Sequence, residues 1–215
     1  MKEIRYFYVP QASSVNELPE EEAKHAVKVL RLQAGDTIHI VDGEGGLFEA
    51  EVTMASGRHC MYNIVSTEHT EKEWQGKICL GIAPTKMMDR IEWMVEKATE
   101  IGFDEVAFLD CRFSERKTLR TDRIERIVVS AMKQSHKACK PEVRELQSFH
   151  DFILATREGR KFIAHCYDEI PRTDFFDVLK TIDSEETVTF LVGPEGDFSI
   201  DEVRMAMDNG YEPIS

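Results

Sequence analysis

What this 215-residue sequence lacks narrows its class before any motif is read. It has five cysteines, Cys60, Cys79, Cys111, Cys139 and Cys166, an odd number at wide and irregular spacing. That excludes a disulfide framework and suits a reducing compartment. No uncharged run approaches the roughly 18 to 20 apolar residues that a membrane helix needs, and Met1-Lys2-Glu3-Ile4-Arg5 has no apolar signal core. A cytoplasmic protein without a membrane partner is expected. His136 and Cys139 stand three apart, and His59-Cys60 and His165-Cys166 are adjacent. No second pair completes the spacing of a zinc site, so no metal is expected. Glycine and proline are modest at 12 and 7 residues, and 42% of the chain is hydrophobic, which argues for a folded chain of one large or two modest domains.

Positive charge is also scarce, with 27 Lys and Arg against 40 Asp and Glu and a net charge of −13. The shortage is uneven. Nine of those basic residues lie between Arg112 and Lys140, where only Glu115, Asp122 and Glu125 oppose them, so this stretch carries +6 and the remainder −19. From Tyr167 onward thirteen acids face only Arg172, Lys180 and Arg204. Nucleic-acid binding is driven by Lys and Arg displacing counterions. The basic stretch therefore permits an RNA contact, with a solvated helix face as the alternative.

The first seventy residues read as β-rich. Thr37 to Val41 places Ile38 and Ile40 on one face, Asp42-Gly43-Glu44-Gly45-Gly46 forms a turn, and Leu47 to Met54 sets Phe48, Ala50, Val52 and Met54 inward, which predicts a hairpin. Ile4 to Val9 and Met61 to Val65 supply further strands, and Glu20 to Leu30 a short helix. Such a set suggests a small barrel. The polar run Glu68 to Glu73 reads as a linker, separating a domain 1–72 from a domain 73–215.

Beyond Lys77 strands alternate with helices. Ile78 to Ala83 is a strand, and Met87, Ile91, Met94, Val95, Ala98 and Ile101 form a helix stripe ended by Gly102. Val106 to Leu109 completes a βαβ unit. A helix from Thr121 to Ala138 turns Ile124, Val128 and Met132 inward and Arg123, Arg126, Lys133 and Lys137 outward. Lys161 to Cys166, Phe175 to Thr181 and Thr187 to Val192 continue the alternation, so the second domain is predicted to be α/β with a parallel sheet.

The chemistry concentrates after the last of these strands. Gly193-Pro194-Glu195-Gly196-Asp197-Phe198 is followed by Ser199 with Glu202 three residues on, a capping-box signature that opens a helix. Ligands of open α/β sheets sit outside the carboxyl ends of strands, and the two glycines let a ligand approach the main chain. Glu195 and Asp197 would repel a phosphate. A ribose or a cationic ligand such as the sulfonium of S-adenosylmethionine fits better, and a plain tight turn is the alternative. The Gly-x-x-Gly spacing also occurs in KH RNA-binding modules, but there it joins two helices. No Gly-x-Gly-x-x-Gly follows any strand, which weakens a nucleotide-binding enzyme.

The run Phe190 to Ser199 resembles the signature of the ribosomal RNA small subunit methyltransferase E family, within the knotted SPOUT methyltransferases. His25-Ala26, Val29-Leu30-Arg31-Leu32, Gly35-Asp36, Pro84-Thr85-Lys86, Glu96 to Gly102, Ser114-Glu115-Arg116 and Gln134-Ser135 match in the same order along nearly the whole chain. The resemblance implies an N-terminal PUA-like β-barrel followed by an α/β-knot methyltransferase domain, acting as a homodimer. It also implies S-adenosylmethionine-dependent methylation of uridine N3 in the 16S ribosomal RNA of the 30S subunit, and a non-catalytic RNA-binding protein of the same fold is the alternative. Leu191, Gly193, Pro194, Glu195 and Gly196 would line the cofactor. Arg116 and Glu195 would serve catalysis, and His25, Arg31, Lys86 and Gln134 would meet substrate. For His25 packing on its helix, and for Arg116 and Gln134 structural hydrogen bonding, are the competing readings. Glu96 and Glu100 lie four apart on one helix face, where like charges invite a partner cation.

Three departures from the family pattern stand out. Asp197 occupies the place of a usual second glycine, and Lys133-Gln134-Ser135-His136-Lys137 replaces a usual Glu-Gln-Ser. Family members also continue past the helix that ends near Asn209 into a further strand and knot helix. Gly210 to Ser215 reads as the start of that strand, so the sequence is expected to stop before the knot closes, and such a form is expected to bind S-adenosylmethionine very weakly.

Overall fold

The structure is a computed structural model that describes residues 5–72 and 74–215. Ile4, the expected start of the first strand, and Glu73, the end of the expected linker, lie outside them. The chain forms two compact units, residues 1–72 with 129–140, and residues 73–128 with 141–215.

The first unit is built on a four-stranded sheet in the order β1 (Tyr6–Tyr8), β2 (Thr37–Val41), β3 (Gly46–Ser56) and β4 (His59–His69). β1 runs parallel to β2, and β2, β3 and β4 are antiparallel. The predicted hairpin is present, but β4 continues through His69 and so takes in Glu68 and His69, the first two residues of the expected linker. Phe48, Ala50 and Val52 are buried as the alternation requires. Met54 is 41% exposed, because the register shifts between Val52 and Met54 and turns the following side chain to the other face. α1 (Glu20–Lys24) passes directly into a π-helical turn, His25–Val29. Ala23 and Ala26 from this segment join Phe7, Ile38, Ile40 and Tyr62 in the core. Residues 129–140 group here because Met132 and Ala138 pack with Val41, Tyr6 and Tyr8, and because the Lys140 amide donates to the Gly43 carbonyl at 2.8 Å.

The second unit holds a six-stranded, all-parallel sheet in the order β10 (Glu212–Ile214), β8 (Arg160–Ala164), β9 (Val188–Val192), β5 (Ile78–Ile82), β6 (Glu105–Asp110) and β7 (Glu142–Ser148). Both faces are covered, so the central strands are apolar at successive positions. On β6, Val106 and Phe108 pack with Ile91 and Val95 of α2 (Met88–Ile101) and Ile124 and Val128 of α3 (Thr121–Gln134). Ala107 and Leu109 face the other layer, with Phe152 of α4 (Phe149–Leu154) and Val203 and Ala206 of α6 (Ile200–Asp208). Each fully buried Val, Ile, Leu or Phe among them contributes about 1.5–3 kcal/mol. α5 (Phe175–Leu179) covers the β8 side through Val178.

Two ends of the predicted α2 stripe fail. Met87 is the exposed N-cap, and Ile101 is 82% exposed beside Gly102, whose φ of 121° ends the helix. α3 stops at Gln134, four residues short of the expected Ala138, and His136 takes φ 57° just beyond it. Gly76 and Gly159 abut the main chain entering β9. A Cβ on Gly76 would collide with the Glu186 carbonyl, and one on Gly159 with the Thr187 carbonyl.

Candidate active site

Because the strands are parallel, the loops after β5, β6, β8 and β9 all leave at the carboxyl edge of the sheet. The turn after β9 is their meeting point. The Asp197 amide donates to the Pro194 carbonyl at 2.9 Å, closing Pro194-Glu195-Gly196-Asp197. α6 then opens at Ser199, whose hydroxyl accepts from the Glu202 amide while the Glu202 carboxylate accepts from the Ser199 amide. This capping box contributes about 1 kcal/mol. A Cβ on Gly193 would stand 3.0 Å from the Phe198 nitrogen, and one on Gly196 would stand 3.3 Å from Cβ of Phe113.

Three acids of this segment each accept a main-chain N–H from a different neighbouring loop. Glu195 Oε1 accepts from Lys86 after β5 at 2.9 Å, Glu202 Oε1 from Arg112 after β6 at 2.8 Å, and Asp197 Oδ2 from Cys166 after β8 at 2.8 Å. Loop amides outside regular structure need such acceptors, and a carboxylate is a strong one. The N–H groups of its own main chain and of Lys86 hold the Glu195 carboxyl below its ordinary range. It is an ionised acceptor.

Arg116 reaches the same place from the loop after β6. Its Nε donates to the Thr85 carbonyl at 3.2 Å and its Nη2 to the Lys86 carbonyl at 2.6 Å. The Lys86 ammonium pairs with Glu115 at 2.9 Å, and the hydrogen bond from that carboxylate raises its pKa, so the charge is retained. Lys86, Arg116, Glu195 and Gly196 are thus brought together. Leu191 and Pro194 are buried, and the Leu191 side chain packs in the core, so it can serve a ligand only as the floor of the turn.

His25, Arg31 and Gln134 belong to the first unit. His25 is exposed at the start of the π-helical turn, and its carbonyl accepts from the Leu30 amide. Arg31 adopts the left-handed φ of 55°, uncommon for a residue with a side chain, and the Leu32 amide closes back on Ala26. Gln134 is the exposed last residue of α3, beside Lys133, which pairs with Glu22 of α1. The cation expected between Glu96 and Glu100 is Lys97, 2.8 Å from each.

Sequence reasoning passed over the loop after β8. His165 is 4% exposed, and its Nδ1 accepts from the Tyr167 amide at 3.2 Å, which places the proton on Nε2. Nε2 is buried with no partner among the described residues. Burial first, and then Arg172, hold the imidazole below its ordinary pKa. The Tyr167 hydroxyl donates to the Phe198 carbonyl at 2.7 Å. Only the adjacency of His165 and Cys166 signalled this loop, and that was weighed for zinc. Among the described residues no group of three or more His, Cys, Asp or Glu side chains is placed to hold a metal ion, and no helix is long and apolar enough to cross a membrane.

A parallel sheet whose loops gather on a Gly-Pro-Glu-Gly turn, together with a smaller β unit, defines an RNA methyltransferase domain joined to its PUA domain. The family described as RNA methyltransferase domain matches residues 72–215, and that described as RNA methyltransferase PUA domain matches residues 18–60. The chain is 26% identical over 193 residues to ribosomal RNA small subunit methyltransferase E of Synechocystis, spanning 87% of this chain and 62% of that protein. It is 25% identical over 219 residues to the protein of that name from Bacillus subtilis, spanning 93% and 83%. A probable rRNA-methyltransferase from Porphyromonas gingivalis superposes with a TM-score of 0.87 at 37% identity, covering 99% of this chain and 89% of that one. The ribosomal RNA small subunit methyltransferase E of Neisseria gonorrhoeae, bound to S-adenosyl methionine, shares the fold with a TM-score of 0.83 at 23% identity, over 99% and 88%. This chain belongs to the ribosomal RNA small subunit methyltransferase E family.

Proposed function

We propose that the protein methylates N3 of a uridine in 16S ribosomal RNA of the 30S subunit, using S-adenosylmethionine. The observation that supports this best is the convergence of Lys86 and Arg116 on the turn that carries Glu195. Bound there, S-adenosylmethionine would supply a methyl group on a positively charged sulfur. The turn fits such a group, because side chains at Gly193 and Gly196 would crowd it and the carboxylates of Glu195 and Asp197 favour a cation over a phosphate. Leu191, Gly193, Pro194, Glu195 and Gly196 would hold the cofactor.

Uracil N3 carries a proton that would pass to solvent water as the N3–methyl bond forms and the sulfur–methyl bond breaks, and its loss leaves negative charge spread onto the ring oxygens. Arg116, aimed by the Thr85 and Lys86 carbonyls, and the Lys86 ammonium would stabilise that charge, as preorganised cations do. Glu195 is the weaker catalytic assignment. Its carboxylate is committed to main-chain donors and is held ionised, so its part is to position the loop after β5. His25, Arg31 and Gln134 would contact RNA from the first unit. Closure of the first sheet into a barrel, a C-terminal knot, a homodimer and a cytoplasmic setting complete the proposal.

The test uses the full-length protein. S-adenosylmethionine, and not ATP or NAD, should raise its melting temperature. Tritium from the labelled cofactor should enter 30S subunits that lack the modification, and nucleoside digestion should yield N3-methyluridine. A 2′-O-methyl or ring-carbon product would overturn the assignment.

A further inference from the structure

We infer that Asp197 is a positioning residue that sets the spacing between the loop after β8 and the Gly193–Phe198 turn, and with it the width of the cofactor crevice. The inference deepens the proposed function and rests on it for its cofactor readout. β8 and β9 are paired neighbours, with Ala164 opposite Val192, so the two loops leave the sheet side by side. Asp197 joins them. Its Oδ1 accepts from the Phe198 amide at 2.7 Å, and its Oδ2 accepts from the Cys166 amide across the gap at 2.8 Å. The Tyr167 hydroxyl, bonded to the Phe198 carbonyl at 2.7 Å, is a second stitch one residue further along both loops.

The backbone explains why an acid can stand here at all. Asp197 has φ 66°, the left-handed region that glycine enters freely and that Asp tolerates better than most residues. The glycine usual in the family would keep this torsion and lose the bond to Cys166. Both carboxylate oxygens are occupied, so Asp197 holds geometry and is no candidate for proton transfer.

The decisive variant is Asp197→Gly, which removes the carboxylate without backbone strain. Amide exchange over residues 165–172 should accelerate at least about tenfold, the factor that corresponds to one hydrogen bond of about 1.4 kcal/mol. KM for S-adenosylmethionine should rise by about the same factor, with kcat at saturating cofactor and KM for RNA within about twofold. Asp197→Asn should fall between, because its one carbonyl oxygen serves one amide while its NH2 faces the other. Unchanged exchange in Asp197→Gly would overturn the inference. So would equal cofactor weakening in both variants with exchange as in the parent, since that pattern assigns the effect to charge alone. If the parent neither binds S-adenosylmethionine nor methylates RNA, the proposed function fails, and the exchange measurement still decides the clamp.

Discussion

The basic stretch Arg112–Lys140, which contains α3, and the acidic stretch from Tyr167 onward, which contains β9 and α6, carry opposite charge, and the fold uses them in opposite ways. On α3 and just before it the charges meet other side chains. Arg126 and Arg120 share Asp122, Arg123 holds Glu92 at 2.7 Å, and Lys133 holds Glu22. The side chains of Arg120, Arg123 and Arg126 stay at least 60% exposed. At the β9 turn the carboxylates instead take main-chain N–H groups from three other loops. A surface ion pair gains little over water, whereas a charged acceptor for a loop amide decides where that loop sits. Net charge therefore predicts neither segment's role; the partner atom does.

The comparison makes graded predictions. The largest effect should come from the half-buried ion pair between Arg157 and Glu105, each 17% exposed, where Arg157 also reaches Cys79 and lies 3.9 Å over the Phe152 ring. Arg157→Ala should lower stability by about 3 kcal/mol in urea titration, because it takes from Glu105 the more buried of its two arginine partners, leaving Arg144, and removes the guanidinium packed on Phe152. Next, Arg116→Ala should slow methylation by roughly 10²–10³ while the melting shift with S-adenosylmethionine persists, the scale of losing one preorganised charge at a reacting centre. Ser199→Ala should cost about 1 kcal/mol by removing the cap of α6.

A gentler effect should appear in pH titration. The His165 pKa is depressed in the folded state, so the unfolded chain binds the proton more readily and stability falls as pH drops from the ordinary histidine value toward the folded one. His165→Phe should flatten that limb of the stability curve. The smallest effect belongs to α3. Arg126→Ala should cost about 0.5 kcal/mol or less, shrinking in salt, and a loss above about 1 kcal/mol would break the contrast drawn between the two segments.

Much of the fold was legible because its signals are local. The alternation of β2 and β3, the βαβ unit of 78–109 and the Ser199–Glu202 cap each declare themselves within a dozen residues. β7 and α4 escaped notice. Glu142–Ser148 is an edge strand of polar, largely exposed residues, and α4 has a single buried turn. Met54 misled because a bulge is invisible to alternation. At the site, the β9 turn was picked out from residue type and Arg116 from resemblance. What Asp197, Glu195 and Glu202 touch was not, since their donors lie 31, 109 and 90 positions away. The grouping of residues 129–140 with the first unit is likewise a matter of contacts such as Met132 on Val41.

Gly76 and Gly159 carry a different consequence. They stand at the amino ends of β5 and β8, pressed on Glu186 and Thr187 as the chain enters β9, and they act as stops that set how far β9 advances toward its catalytic end. Both positions should resist every substitution for reasons of depth alone. A search for the active centre guided only by which glycines never change would be drawn to the wrong end of this sheet.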